Sequence, residues 1–214
     1  MVEKEEAKAL CLLSYLWELC GPRAADIEGE VVSFARRVEG PVGEEFWRSL
    51  DAPLGAVRVQ SAGGGIEDSD GDLQADFANR VLGGAALYSG KVQEEIRFAV
   101  CPECYVGMLL CEAMAPNEAV FIVGTWQCSS YEGYGESFRF AGARDAPGVT
   151  TDSLCRRGPH IVALDALEFP GDAQYDKDMI LRELLKARVA CLGDLREDAG
   201  PRRVGFATGN WGCG

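Results

Sequence analysis

Asp76-Phe77-Ala78-Asn79-Arg80-Val81-Leu82-Gly83-Gly84-Ala85 is followed, after residues 86–92, by Gln93-Glu94-Glu95-Ile96-Arg97-Phe98. The first half reads as a half-apolar strand that runs into a turn of small residues, where a ligand's groups can come close to the backbone. Two adjacent carboxylates stand just beyond the turn. Such a combination can hold an anion on backbone N–H groups and supply a proton donor.

Working outward, elements of both kinds alternate. On the N-terminal side, residues 3–20 read as a helix without Gly or Pro, stopped by Gly21-Pro22. Leu10, Leu13 and Trp17 form one stripe and Leu12, Leu16 and Leu19 a second, so the helix is expected to be buried on more than one side. Residues 31–38 favour a strand through their β-branched content, 44–50 a short helix, and 56–60 a strand by alternation. The acidic, glycine-rich stretch 63–72 is a turn-rich link into the central motif.

On the C-terminal side, Pro102–Met114 predicts a helix with proline in its first turn. Residues 119–124 and 160–167 are apolar runs of strand length, suited to burial on two faces. Residues 176–192 predict a long amphipathic helix with Met179, Leu181, Leu184, Leu185 and Val189 as its core side. A last strand is expected at 204–207, followed by a glycine-rich loop, 208–214. Strands alternating with helices mean α/β.

Composition narrows the possible partners. The 214 residues carry a formal net charge of -13, from 34 acidic and 21 basic residues. Long-range electrostatics therefore repel polyphosphates, and direct DNA or RNA binding is disfavoured. A phosphate-bearing ligand would have to be held by oriented N–H groups in a shaped pocket. Nine cysteines without a regular framework fit a reducing compartment, the acidic first residues do not read as a signal peptide, and the longest apolar run is too short for a membrane span. Nuclear or cytoplasmic residence is the expectation.

The central motif resembles the signature of the poly(ADP-ribose) glycohydrolases, in which three glycines are followed after six to eight residues by Gln-Glu-Glu; here Ala85 takes the third glycine position. Further blocks resemble the same family, in the family's order: Ile66-Glu67, Gly124-Thr125, Tyr131-Glu132-Gly133-Tyr134, Arg156-Arg157 with 161–167, and Ala207-Thr208-Gly209-Asn210-Trp211-Gly212-Cys213-Gly214. The resemblance implies a macrodomain-like three-layer α/β fold with a mixed central sheet (31–214) behind an N-terminal helical accessory segment (1–30). It also implies hydrolysis of the ribose–ribose O-glycosidic bonds of poly(ADP-ribose), releasing ADP-ribose as part of the DNA damage response, with ADP-ribosylated proteins as partners and neither cofactor nor metal.

By position, the resemblance makes Glu95 the catalytic acid/base, Glu94 its substrate-holding neighbour, and Asp76 and Asn79 orienting groups. Ile66 and Glu67 would meet the adenine edge and Tyr134 its face. Gly83, Gly84, Ala85, Asn210 and Gly212 would line the diphosphate, and Gln93 completes the substrate-binding set. Glycoside cleavage needs a proton delivered to the leaving hydroxyl and then a base for water. One residue doing both needs a raised pKa, which burial and a neighbouring carboxylate favour, and Asp76 could hold Glu95 by hydrogen bonding. Ala85 would compromise phosphate contact if a positive φ were required there. In the family the terminal loop continues beyond the point reached at Gly214, so the alternative is a non-catalytic ADP-ribose or poly(ADP-ribose) binding module, or an inactive fragment.

Other features read as structural. Glu5-Glu6 and Glu44-Glu45 are solvated pairs. Cys101-Pro102-Glu103-Cys104 lacks a second ligand pair for zinc. His160 is a strand-edge residue, and the acidic run from Glu67 to Asp72 lacks the length and terminal Glu of a calcium loop.

Overall fold

The computed structural model describes residues 2–21, 24–53, 55–60, 64–69, 71–144, 151–169, 171–192 and 205–212. Its strands are β1 (Ser33–Val38), β2 (Leu73–Ala78), β3 (Glu118–Val123), β4 (Ser129–Glu132), β5 (Arg139–Ala143), β6 (His160–Asp165) and β7 (Phe206–Ala207). Its helices are α1 (Val2–Cys20), α2 (Ala24–Ile27), α3 (Glu44–Arg48), α4 (Gln93–Val100), α5 (Gly107–Leu110) and α6 (Lys177–Leu192).

The central sheet has the order β1-β3-β6-β2-β7, antiparallel from β1 through β6 and parallel from β6 through β7. Alternation along each inner strand sends side chains to opposite faces. Leu73 and Ala75 of β2, Ala119 and Phe121 of β3, and Val162 and Leu164 of β6 pack with Val189 and Ala190 of α6. Val120, Ile122, Ile161 and Ala163 pack on the other face with Ile96, Phe98 and Val100 of α4 and with Ala7 and Cys11 of α1. The result is a three-layer α/β structure with a mixed sheet, as expected, and the β4–β5 hairpin lies beside α1.

Several expectations change. α1 is a helix over the predicted span but buries only a narrow face, through Ala7 and Cys11. Small residues let it approach α4 closely, and that leaves the leucine stripes outside, with Leu13 60% and Trp17 73% exposed. Residues 56–60 form no strand. Alternation stabilises a strand only beside a partner, and Val57 and Val59 here are 83% and 92% exposed. The 102–114 helix is shorter than predicted: a 3₁₀ segment, Pro102–Val106, passes into α5 and ends at Leu110. The following backbone is drawn away, the Met114 N–H donating to the Arg80 carbonyl at 2.8 Å.

α6 uses the expected face only in part: Val189 is buried and Leu185 packs against the core as anticipated. Lys186, Val189 and Ala190 are buried while Leu184 is exposed. The Lys186 ammonium is satisfied inside, donating to the Ala115 and Glu118 carbonyls at 2.7 and 2.6 Å and pairing with Asp165 at 2.6 Å. Of the predicted last strand, Phe206–Ala207 is present and 204 lies outside the described residues, as do 213–214 of the terminal loop.

Candidate active site

A cleft of about 790 Å³ opens at the C-terminal ends of β2 and β6. Its walls include Ala78 to Arg80 after β2, Val92 to Glu95 at the start of α4, Asp165 to Phe169 after β6, Asn210 to Gly212 after β7, and Tyr134. This is where open parallel sheets gather ligands, since consecutive strands deliver their following loops to one edge.

The two carboxylates are held by backbone rather than by side-chain cations. Glu94 accepts N–H bonds from Gly83 on Oε1 at 2.6 Å and from Asn79 on Oε2 at 2.8 Å. Glu95 accepts from Ala85 on Oε1 at 3.2 Å and, capping its own helix, from Val92 on Oε2 at 2.9 Å. Both are buried, yet both reach the cleft wall. The glycines make this possible: a Cβ on Gly84 would sit 2.8 Å from Glu94 Oε2 and 2.9 Å from Glu95 Oε1. Gly83 and Gly84 have φ of +88° and +48°, whereas Ala85 lies outside the positive-φ region. The methyl that departs from the family pattern is therefore at the position that tolerates it.

The small-residue turn differs from its expected use. Gly83 and Ala85 direct their N–H groups to the carboxylates, the Gly84 N–H donates to the Val81 carbonyl at 3.1 Å, and none of the three is among the residues lining the cleft. Gln93 is also engaged internally. Among the described residues β7 pairs with β2 at Leu73 and Gln74 only, and beyond that point Gln93 takes the partner's place. Its Nε2 donates to the Ala75 carbonyl at 3.0 Å and its Oε1 accepts from the Phe77 N–H at 2.8 Å. The start of α4 is thereby fixed against β2.

Asp76 lies on the α4 face of β2, behind the cleft wall. It is fully buried, among the described residues neither oxygen has a hydrogen-bond partner, and it does not hydrogen-bond Glu95 as anticipated. Burial raises it to about 7, the Arg97 guanidinium opposing the rise and the Glu95 and Glu67 charges adding to it. Burial, then the Asp76 charge, pushes Glu94 up to about 9 against the pull of the Asn79 and Gly83 amides. The two titrate as a pair. The Asn79 and Gly83 amides favour the charged form of Glu94, and among the described residues no such donor meets Asp76.

The remaining expected residues separate into two places. Asn79, Tyr134, Asn210 and Gly212 line the cleft, Tyr134 being 58% exposed. Its loop is tied to the start of α4 by the Gly135 N–H, which donates to the Lys91 carbonyl at 3.0 Å. Ile66 and Glu67 are not among the lining residues. They form a 3₁₀ turn, and Glu67 Oε1 accepts a 3.0 Å bond from the Tyr131 hydroxyl. Gly124-Thr125 and Arg156-Arg157 lie elsewhere: Thr125 is buried, Arg156 pairs with Asp152, and Arg157 pairs with Glu30 and stacks on Trp126. Cys101 and Cys104 are core residues, their thiols raised by burial, and the described residues contain no group of metal ligands.

Sequence reading missed Arg182, which lines the cleft from α6 and holds Asp165 through both its carboxylate and its carbonyl. Nothing in its spacing separates it from any other charge on an amphipathic helix. Lys8 was also missed. Its ammonium donates to the Ala86 and Tyr88 carbonyls at 2.9 and 2.8 Å and reaches the Ala85 carbonyl at 3.5 Å.

Residues 44–214 match the family described as poly (ADP-ribose) glycohydrolase (PARG), macro domain fold. Among curated proteins, the chain is 39% identical over 185 residues to poly(ADP-ribose) glycohydrolase 1 of Arabidopsis thaliana, covering 86% of this chain and 33% of that protein. It is 31% identical over 256 residues to probable poly(ADP-ribose) glycohydrolase 2 of the same plant, covering 99% and 48%. It is 41% identical over 162 residues to poly(ADP-ribose) glycohydrolase 1 of Caenorhabditis elegans, covering 70% and 20%. The chain thus spans from a fifth to about half the length of these relatives. With four-fifths of its residues matched and the three-layer sheet in place, the chain belongs to the poly(ADP-ribose) glycohydrolase family with the macro domain fold.

Proposed function

We propose that this chain hydrolyses the ribose–ribose O-glycosidic bonds of poly(ADP-ribose), releasing ADP-ribose, with Glu95 as the acid/base. The observation that carries the reading is the buried Glu94-Glu95 pair, fixed by four backbone N–H groups at the wall of a large cleft. Glu95 delivers a proton to the leaving ribose oxygen as the bond to the anomeric carbon breaks. Water then adds to that carbon and returns its proton to Glu95. Glu94, whose charged form the Asn79 and Gly83 amides favour, stabilises the oxocarbenium-like transition state at the cleft wall. Asn79 meets the ribose, Tyr134 the adenine face, and Asn210 with Gly212 the diphosphate.

In this reading Asp76 acts from behind, its titration coupled to that of Glu94. Gln93 acts through β2, by setting where α4 begins. Ile66 and Glu67, steadied by Tyr131, serve the adenine edge. The polymer would reach the site on ADP-ribosylated proteins, in the nucleus or cytoplasm and in the response to DNA damage.

The test is release of ADP-ribose from purified polymer. Glu95→Gln should lower turnover by at least about 100-fold while leaving ADP-ribose binding within a few-fold. An unchanged rate in that variant would overturn the assignment. Tight binding of ADP-ribose by the unaltered chain, without turnover, would favour a binding module instead.

A further inference from the structure

α1 reads from its sequence as packing alone, yet one of its side chains reaches the turn that holds the carboxylates. Residues 81–90 fold back through successive turns, with the N–H groups of Gly84, Ala86, Tyr88 and Gly90 donating to the carbonyls of Val81, Gly83 and, twice, Ala85. The turn closes tightly round Glu95: a Cβ on Gly90 would stand 2.7 Å from both the Ala85 methyl and Glu95 Cδ. Its outward carbonyls converge on Lys8, 77 to 80 residues away in sequence. Leu82 and Ala86 anchor the turn in the core, but Leu87 and Tyr88 are 66% and 73% exposed, so an ammonium bound to the carbonyls of 85–88 supplies order there that those side chains do not.

We propose that Lys8 is a positioning residue for the reaction: by binding the carbonyls of the 85–88 turn from α1, it holds the Ala85 N–H against Glu95. The inference rests on Glu95 being the acid/base. It gives α1 a role in the chemistry that its exposed leucines do not suggest. Burial lowers the Lys8 pKa, while the nearby Glu95 charge works to restore it. The ammonium and the carboxylate therefore share one electrostatic neighbourhood, together with Glu5 and Lys91.

The test compares Lys8→Met and Lys8→Arg with the unaltered chain by steady-state kinetics and by hydrogen exchange of the amides at 83–90. Lys8→Met should lower kcat by about tenfold with KM within twofold, because the substrate walls are untouched and the acid/base is displaced. The amides at 83–90 should exchange faster while those of β3 and β6 stay unchanged. Lys8→Arg, which keeps charge and donors, should recover most of both. A kcat within twofold for Lys8→Met, or unchanged exchange at 83–90, overturns the proposal, as does faster exchange spread evenly over the sheet. If the unaltered chain releases no ADP-ribose, the glycohydrolase reading fails, and the exchange comparison still decides whether Lys8 holds the turn.

Discussion

Gly84→Ala and Ala85→Gly move one methyl between neighbouring residues, and the structure gives them very different consequences. Gly84 has φ of +48°, where an L side chain costs on the order of 1–2 kcal/mol. Its new Cβ would also fall 2.8 and 2.9 Å from the Glu94 and Glu95 oxygens. Those oxygens cannot swing aside freely, because the Asn79, Gly83, Ala85 and Val92 amides hold both carboxylates. Displacing one charge-assisted bond adds roughly 1.5–3 kcal/mol, so Gly84→Ala should destabilise the fold by about 2.5–5 kcal/mol in all.

Ala85 lies outside the positive-φ region, so Ala85→Gly gains no relief from strain. It loses only the chain-entropy benefit of alanine, roughly 0.4–1 kcal/mol. Urea unfolding of the three proteins reads the stability difference, and ADP-ribose release reads the site: Gly84→Ala should lose turnover by at least about 100-fold and Ala85→Gly should stay within about threefold. A silent Gly84→Ala, or a gain of tenfold or more in Ala85→Gly, would refute the assignment of the two glycines as the positions that need to be bare.

Three other outcomes follow from the same geometry. Asp76, raised by burial from 3.8 to about 7, stabilises the fold fully below its unfolded pKa, and that contribution is lost as pH rises through about 7. The change is on the order of 4 kcal/mol at most; Asp76→Asn should remove it, so urea unfolding at pH 5 and pH 8 should differ less in the variant than in the unaltered chain, and equal pH dependence would count against a protonated Asp76. Gln93→Ala strands the Ala75 carbonyl and the Phe77 N–H and should cost about 2–4 kcal/mol, with faster exchange at the Phe77 amide as the specific sign. Lys186→Met leaves Asp165 buried with Arg182 as its remaining cation and should cost about 3 kcal/mol in chemical unfolding, whereas an exposed lysine would be nearly silent.

The leucines of α1 show where sequence pattern misleads. Helical periodicity correctly marks residues 3–20 as a helix, but two leucine stripes do not say which face meets the core. Ala7 and Cys11 are buried because only small side chains allow the close approach to α4. Alternation at 56–60 likewise says nothing about whether a neighbouring strand exists. Lys186 is the reverse case: a charge placed on the solvated side by any pattern reading is enclosed because Asp165 and two carbonyls meet it.

By itself the sequence determined the alternation of strands and helices, the ordered family blocks, and a strand, a bare turn and two carboxylates in the right succession. These are local properties, set by side-chain volume, backbone freedom and spacing along the chain. Tertiary structure alone decided what each group faces. It directed the Gly83 and Ala85 amides to Glu94 and Glu95, put Gln93 where β7 stops pairing, hid Asp76 behind the wall, and brought Lys8 across from α1. Hydrogen-bond partners and burial depend on elements distant in sequence, and whether an N–H group meets a ligand or a carboxylate is fixed only when those elements pack.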